Sequence, residues 1–123
     1  MKFLILINAT AQGRAMFKDM GVERAHAATA GYRQLNADLA VSGEKIASAA
    51  LDDPSTGVGV AVVDGTIHTT DGPFAEAKEF LAGFFLLECD SLQQAVEHAA
   101  KLPEAQWGMV EVRPVRDLSF LGL

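Results

Sequence analysis

The chain has 123 residues, 10 Lys and Arg against 16 Asp and Glu, and a formal net charge of −6, the size of one domain over residues 1–123 with an acidic balance. Half of its residues are hydrophobic, far too many for a solvated coil, so intrinsic disorder is excluded. The scattered cations form no stripe able to displace counterions from a phosphate backbone, so nucleic acid is not expected as a partner.

Cys89 is the only cysteine, so no intramolecular disulfide can form and a reducing, cytoplasmic setting is expected. The opening apolar run, Phe3 to Ile7, is shorter than the ~7 residues a signal core needs. No stretch is apolar enough for long enough to span a bilayer, so no membrane is expected either.

Residues 2 to 8 are continuously apolar and branched, the pattern of a central strand covered on both faces. Thr10 to Arg14 reads as loop, with a short helical turn around Met16, Phe17 and Met20 that ends at Gly21. From Val22 to Ala40 the alanine-rich sequence places Tyr32, Leu35 and Leu39 at helical offsets, predicting one long amphipathic helix, weakened locally at Gly31. Gly43 closes it, and residues 44 to 51 read as a weak strand anchored by Ile46.

After the loop from Asp52 to Gly57, the run Val58 to Val63 is followed by Asp64-Gly65 and a returning strand with Ile67, the signature of a hairpin with positive φ at both turn residues. Asp71-Gly72-Pro73 breaks that strand, and a helical turn over Ala75 to Glu79 is expected. Phe80 to Glu88 is the next strand. Ser91-Leu92-Gln93-Gln94 matches a capping box, opening a helix whose buried stripe is Leu92, Ala95, Val96, Ala99 and Leu102 before Pro103 stops it. A last strand runs from Trp107 to Val112, ahead of Pro114. This order, β, α, β, hairpin, β, α, β, predicts an α+β sheet with helices on one face, close to a ferredoxin-like plan. Several strands are apolar on both sides, so a homodimer with sheets packed face to face is expected.

The densest polar cluster runs from Thr70 to Glu79 and holds Asp71, Lys78 and Glu79. Two roles are open to Asp71. As a cap it accepts backbone N–H bonds at a helix start; as a base it faces a pocket in which Lys78 holds an anionic group or enolate. Lys78 and Glu79 are sequence neighbours and diverge on a helix. His68 stands three residues before Asp71 and is a candidate for the same cleft. The three histidines, His26, His68 and His98, show no i, i+4 pair and no neighbouring cysteine or carboxylate at ligand spacing, so no metal is implied. His26 and His98 read as solvated helix residues and Cys89 as a small packing residue. Neither a G-x-S-x-G elbow nor a phosphate-binding glycine loop occurs, and no cofactor is implied.

Asp71-Gly72-Pro73-Phe74, followed by Glu76, Lys78-Glu79, Gly83-Phe84 and the late Glu111-Val112-Arg113-Pro114, resembles the DGPF-domain branch of the YCII-related superfamily over nearly the whole chain. The resemblance implies a ferredoxin-like fold forming a dimeric α/β barrel, here with an inserted β-hairpin, in a bacterial cytoplasmic protein of undefined role. Some members of that superfamily are proposed to use a His/Asp pair, and one is a dehydrochlorinase of chlorinated hydroxyquinols. At the two matching positions this chain carries Tyr32 and Leu102, so both halves of the pair are missing. The Tyr32 hydroxyl is left as a hydrogen-bond donor or weak acid.

Two functions follow as expectations. In the first, a cleft binds a small aromatic or carboxylated molecule for lyase or isomerase proton transfer, with Tyr32 and Asp71 as catalytic residues and Lys78, Glu79 and His68 as ligand contacts. In the second, the protein is a non-catalytic regulator whose partner is an extracytoplasmic-function sigma factor, a partner implied by the resemblance.

Overall fold

The computed structural model describes residues 1–72 and 78–123. Its centre is strand β1 (Lys2–Thr10), and the chain continues through helices α1 (Ala11–Asp19), α2 (Val22–Ala28) and α3 (Ala30–Ser42) into β2 (Lys45–Ala50). A hairpin of β3 (Val58–Val63) and β4 (Thr66–Asp71) follows, then β5 (Glu79–Glu88), α4 (Leu92–Ala99), a 3-10 turn over Pro103–Trp107 and β6 (Val110–Pro114). One antiparallel sheet has the order β2-β5-β1-β6, and the hairpin forms a separate two-stranded sheet. This is the strand order of the expected ferredoxin-like α+β plan, with the hairpin inserted between the second and third strands of the main sheet.

The sheet explains the alternation along β1. Phe3, Ile5 and Ile7 are buried and, with Phe85 and Leu87, form the floor on which Leu35, Leu39, Ala95, Ala99 and Leu102 pack. Leu4 and Leu6 point the other way, where the register sets them beside Leu86 and Phe84. Those four side chains are half-buried, and no second layer covers them among the described residues. The expectation of cover on both faces is therefore met on one face only.

Several local expectations give way to chemistry that propensity does not register. Thr10 to Arg14 is not loop, because the Thr10 hydroxyl accepts the Gly13 N–H at 3.0 Å and starts α1 at once. The long helix breaks at Thr29, two residues before Gly31; its hydroxyl bonds back to the Ala25 carbonyl at 2.9 Å and its backbone leaves the helical region. Ile46 sits where the β2 register shifts and is 49% exposed, so it is not the buried anchor expected of it. Trp107 belongs to the 3-10 turn, so the last strand starts later than expected, at Val110, and takes in Pro114. The turn expected over Ala75 to Glu79 lies outside the described residues up to Ala77, and Glu79 already belongs to β5.

Two expectations hold at atomic detail. Asp64 and Gly65 both take positive φ, 49° and 78°, as the hairpin requires. The Ser91 hydroxyl accepts the Gln94 N–H at 3.2 Å, while Gln94 reciprocates one residue early, accepting from the Asp90 N–H at 3.2 Å.

Candidate functional site

A recess of about 270 Å³ opens between α3 and the β2–β5 side of the sheet. Its floor is built from small residues on the helix-facing side: Ser48 and Ala50 of β2 and Gly83 of β5. Gly83 cannot be larger, since a Cβ there would lie 2.8 Å from the Ala49 carbonyl oxygen. Tyr32 and Asn36, one helical turn apart on α3, complete the wall with Phe85. No Lys or Arg is among the described residues that line it.

Tyr32 is the best-defined polar group of this wall. Its ring stacks on Phe85 at 6.5 Å between centroids, and its hydroxyl donates to the Glu104 carboxylate, with the two oxygens at 2.5 and 2.8 Å. Burial first, then this hydrogen bond and the charge of Glu104, push the phenol well above its usual range. Tyr32 is thus held neutral, with its proton on the Glu104 side. The position of Glu104 is set by the 3-10 turn that Pro103 opens. Gly31 lets α3 reach that segment: a Cβ at Gly31 would fall 2.1 Å from the Lys101 carbonyl oxygen. Neither partner was visible from the tyrosine's own surroundings, since Glu104 lies 72 residues further along the chain.

The other expected site residues are not gathered around Tyr32. Asp71 closes β4 opposite Val58, and His68 lies opposite Ala61 on the same strand; both are exposed. The pairing has no bulge, so residues three apart project from opposite faces of the ribbon, and His68 and Asp71 share no face of the hairpin. Lys78 and Glu79 are exposed at the start of β5, where Glu79 pairs with Thr10. Glu79 borders a second, shallow recess of about 500 Å³ shared with Asp52, Asp53 and Phe80. Beside it, Arg14 lies 4.8 Å above the Phe80 ring, 3.7 Å from Asp53 and donates to the Leu51 carbonyl at 3.1 Å.

Two readings of single residues need correction. His98 is not solvated: it is 8% exposed, and its Nε2 lies 3.0 Å from Glu44 Oε1. The stripe of α4 that faces the sheet includes this position, and Glu44 supplies the partner that makes its burial affordable. Cys89 is buried as expected of a packing residue, yet it has a carboxylate neighbour, Glu44, which local sequence could not reveal. Glu111 and Arg113 pair on the outer strand at 2.7 Å.

The family model of YCII-related domains matches residues 1–119. The chain belongs to the YCII-related family. An uncharacterised protein of Rhizobium meliloti (strain 1021) is 51% identical over 53 residues, a match covering 42% of this chain and 43% of that protein. The matched stretch is thus less than half the length of that relative. Among solved structures, 5-chloro-2-hydroxyhydroquinone dehydrochlorinase from Burkholderia phenoliruptrix AC1100, in complex with 2,5-dihydroxybenzoquinone, aligns over 98% of both chains at 14% identity and a TM-score of 0.49. No helix among the described residues of this YCII-related chain is long and apolar enough to cross a membrane.

Proposed function

We propose that this YCII-related protein works as a homodimer that binds a small hydroxylated aromatic molecule in the recess beside Tyr32 and moves a proton on it, in a reaction of the lyase or isomerase type. The observation that carries this reading is the Tyr32 hydroxyl bound to both oxygens of Glu104 at the wall of the recess. Because the phenol already donates to Glu104, its oxygen has lone pairs left for a ligand hydroxyl. As a ligand O–H gives its proton to the Tyr32 oxygen, the Tyr32 proton passes to Glu104, so the phenolate itself is never released. Tyr32 then acts as a relay and Glu104 as the base behind it.

The walls favour the aromatic class. At about 270 Å³ the space falls just below the ~300–1,000 Å³ of ordinary ligand pockets and admits roughly one ring. The stacked pair Tyr32 and Phe85 lines it with aromatic surface, and Asn36 and Ser48 offer polar rims. A carboxylated ligand is less well served, since no cation lines the recess among the described residues.

Dimerisation is supported by the apolar surface that one chain leaves open. The hairpin presents Val58, Val60, Val62 and Ile67 on one face, all more than half exposed, and an isolated two-stranded ribbon is barely stable in water. Asp71 lies on that same face, so cover by a partner is the route by which Asp71 would approach a ligand.

The test is a panel of single-ring phenols, quinols and benzoates offered to the full chain, with binding read by calorimetry and proton transfer by solvent-deuterium incorporation. A quinol is expected to bind and exchange; Tyr32→Phe and Glu104→Gln should slow exchange by about 10²-fold or more in protein that still folds, with stability lowered only by the ~1–3 kcal/mol of one lost hydrogen bond. Full exchange activity in Tyr32→Phe, or no binding across the panel, would overturn the reading.

A further inference from the structure

A second polar cluster, outside both recesses, joins three elements. Glu44 lies between α3 and β2, Cys89 follows β5 directly, and His98 sits on α4. The backbone fixes their approach: the Glu88 N–H donates to the Glu44 carbonyl at 2.8 Å, and the Cys89 N–H to the Met1 carbonyl at 2.9 Å. The side-chain donor atoms of Glu44, Cys89 and His98 all lie within 4.8 Å of one another. Cys89 is 3% and His98 8% exposed, and the Glu44 side chain 12%. Glu44 Oε1 is engaged by His98, but Glu44 Oε2 is fully buried and has no hydrogen-bond partner among the described residues. A buried oxygen of this kind is costly to leave unpaired.

We propose that Glu44, Cys89 and His98 form a binding site for a zinc-type divalent cation, ligated by the Glu44 carboxylate, the Cys89 sulfur and His98 Nε2. The donor set selects the ion. Mixed sulfur, imidazole nitrogen and one carboxylate suit a borderline-soft cation, whereas magnesium and calcium require oxygen ligands throughout. Metal-to-ligand distances of ~2.0–2.3 Å in tetrahedral geometry place ligand atoms roughly 3.3–3.7 Å apart. The present spread therefore has to contract by about 1 Å at its widest, within reach of side-chain torsions alone. A water, or the second Glu44 oxygen, completes the fourth position.

The charges and protons balance. A thiolate and a carboxylate neutralise the dication, and the adjacent Lys101–Asp38 pair, at 2.5 Å, is neutral by itself. Lys101 Nζ lies 3.3 Å from His98 Nδ1 and donates to it, which places the imidazole proton on Nε2, facing Glu44. On loading, the imidazole stays neutral and carries its proton on Nδ1, Lys101 turns fully to Asp38, and the thiol proton leaves to solvent. Coordination to a dication is the interaction able to remove the thiol proton.

The test uses the full chain, stripped with a chelator and then titrated with cobalt(II) or zinc(II). Cobalt should produce one equivalent of a sulfur-to-metal charge-transfer band, and zinc should displace it and raise the thermal midpoint. Cys89→Ser should abolish the band and weaken zinc by about tenfold or more. Glu44→Gln should weaken zinc while keeping the band. Unmodified protein that binds cobalt without the band, or zinc affinity unchanged in Cys89→Ser, would overturn the proposal and leave the cluster as a hydrogen-bonded clip between α4 and the sheet. The recess beside Tyr32 plays no part in any of these readouts.

Discussion

Tyr32 is the only tyrosine of the chain, so its ionisation can be followed directly by phenolate absorbance. Burial and the Glu104 carboxylate raise its folded-state pKa above the ordinary value of 10.0. The folded state therefore holds the proton more tightly than the unfolded one, and the resulting stability is complete below pH 10 and lost as the pH climbs from there toward the folded-state value. In alkaline titration the native protein should show no phenolate onset near pH 10, its band appearing together with unfolding. Glu104→Gln should bring the onset down, and a wild-type onset at the ordinary pH would contradict the buried hydrogen bond. Sequence reasoning reached Tyr32 through its helical offset and its place in the family pattern, but the residue that sets its chemistry is remote in the chain. The same limit hid Glu44 from His98, 54 residues away, because chain spacing reports ligand sets only when they fall within a turn or two.

At the scale of elements, α3 meets the Lys101–Pro103 segment across Gly31, and this contact opposes two effects in one substitution. Helix propensity alone favours alanine over glycine by ~1 kcal/mol. Packing forbids it, since the new Cβ would lie 2.1 Å from backbone at Lys101, and overpacking of this sort costs about 1–3 kcal/mol. Gly31→Ala should therefore lower the thermal midpoint and, by displacing α3, shift the Tyr32 titration toward its ordinary range; a more stable variant would show that the segment yields. Strands β1 and β5 and helix α4 were legible because runs of branched residues, alternation and a cap are local signals. The break at Thr29 was not, because a threonine hydroxyl bonding back to a carbonyl outweighs an alanine-rich pattern. The early start of α1 was missed for a related reason: Thr10 ends the strand and caps the helix at once.

For the molecule as a whole, the open sheet face and the hairpin set the expectation for assembly. Leu4, Leu6, Phe84 and Leu86 share one face and remain half-buried, and the hairpin valines are exposed. Sedimentation at micromolar concentration should give twice the chain mass, and Leu86→Lys combined with Val60→Lys should return the monomer with its four-stranded sheet intact. A monomeric wild type would remove the partner from the proposed function. The fold plan itself was readable from element order, whereas the cover on the second face was not, because a single sequence does not distinguish burial within a chain from burial between chains.

The two borders of the main sheet differ in kind. Along β6 the Val115 N–H points inward to the Lys2 carbonyl, so the alternation turns the Pro114 position outward, where proline has no amide hydrogen to offer; Glu111 and Arg113 add charge to that strand. Along β2, past Lys45 and Ile46, the residues are Ala47-Ser48-Ala49-Ala50, all small and uncharged. Joining β2 to β6 in succession would build a filament, and the guarded border refuses that step. A pair of copies joined through one shared face would close on itself after two, and the guarded border disfavours the growth of such a pair into polymer.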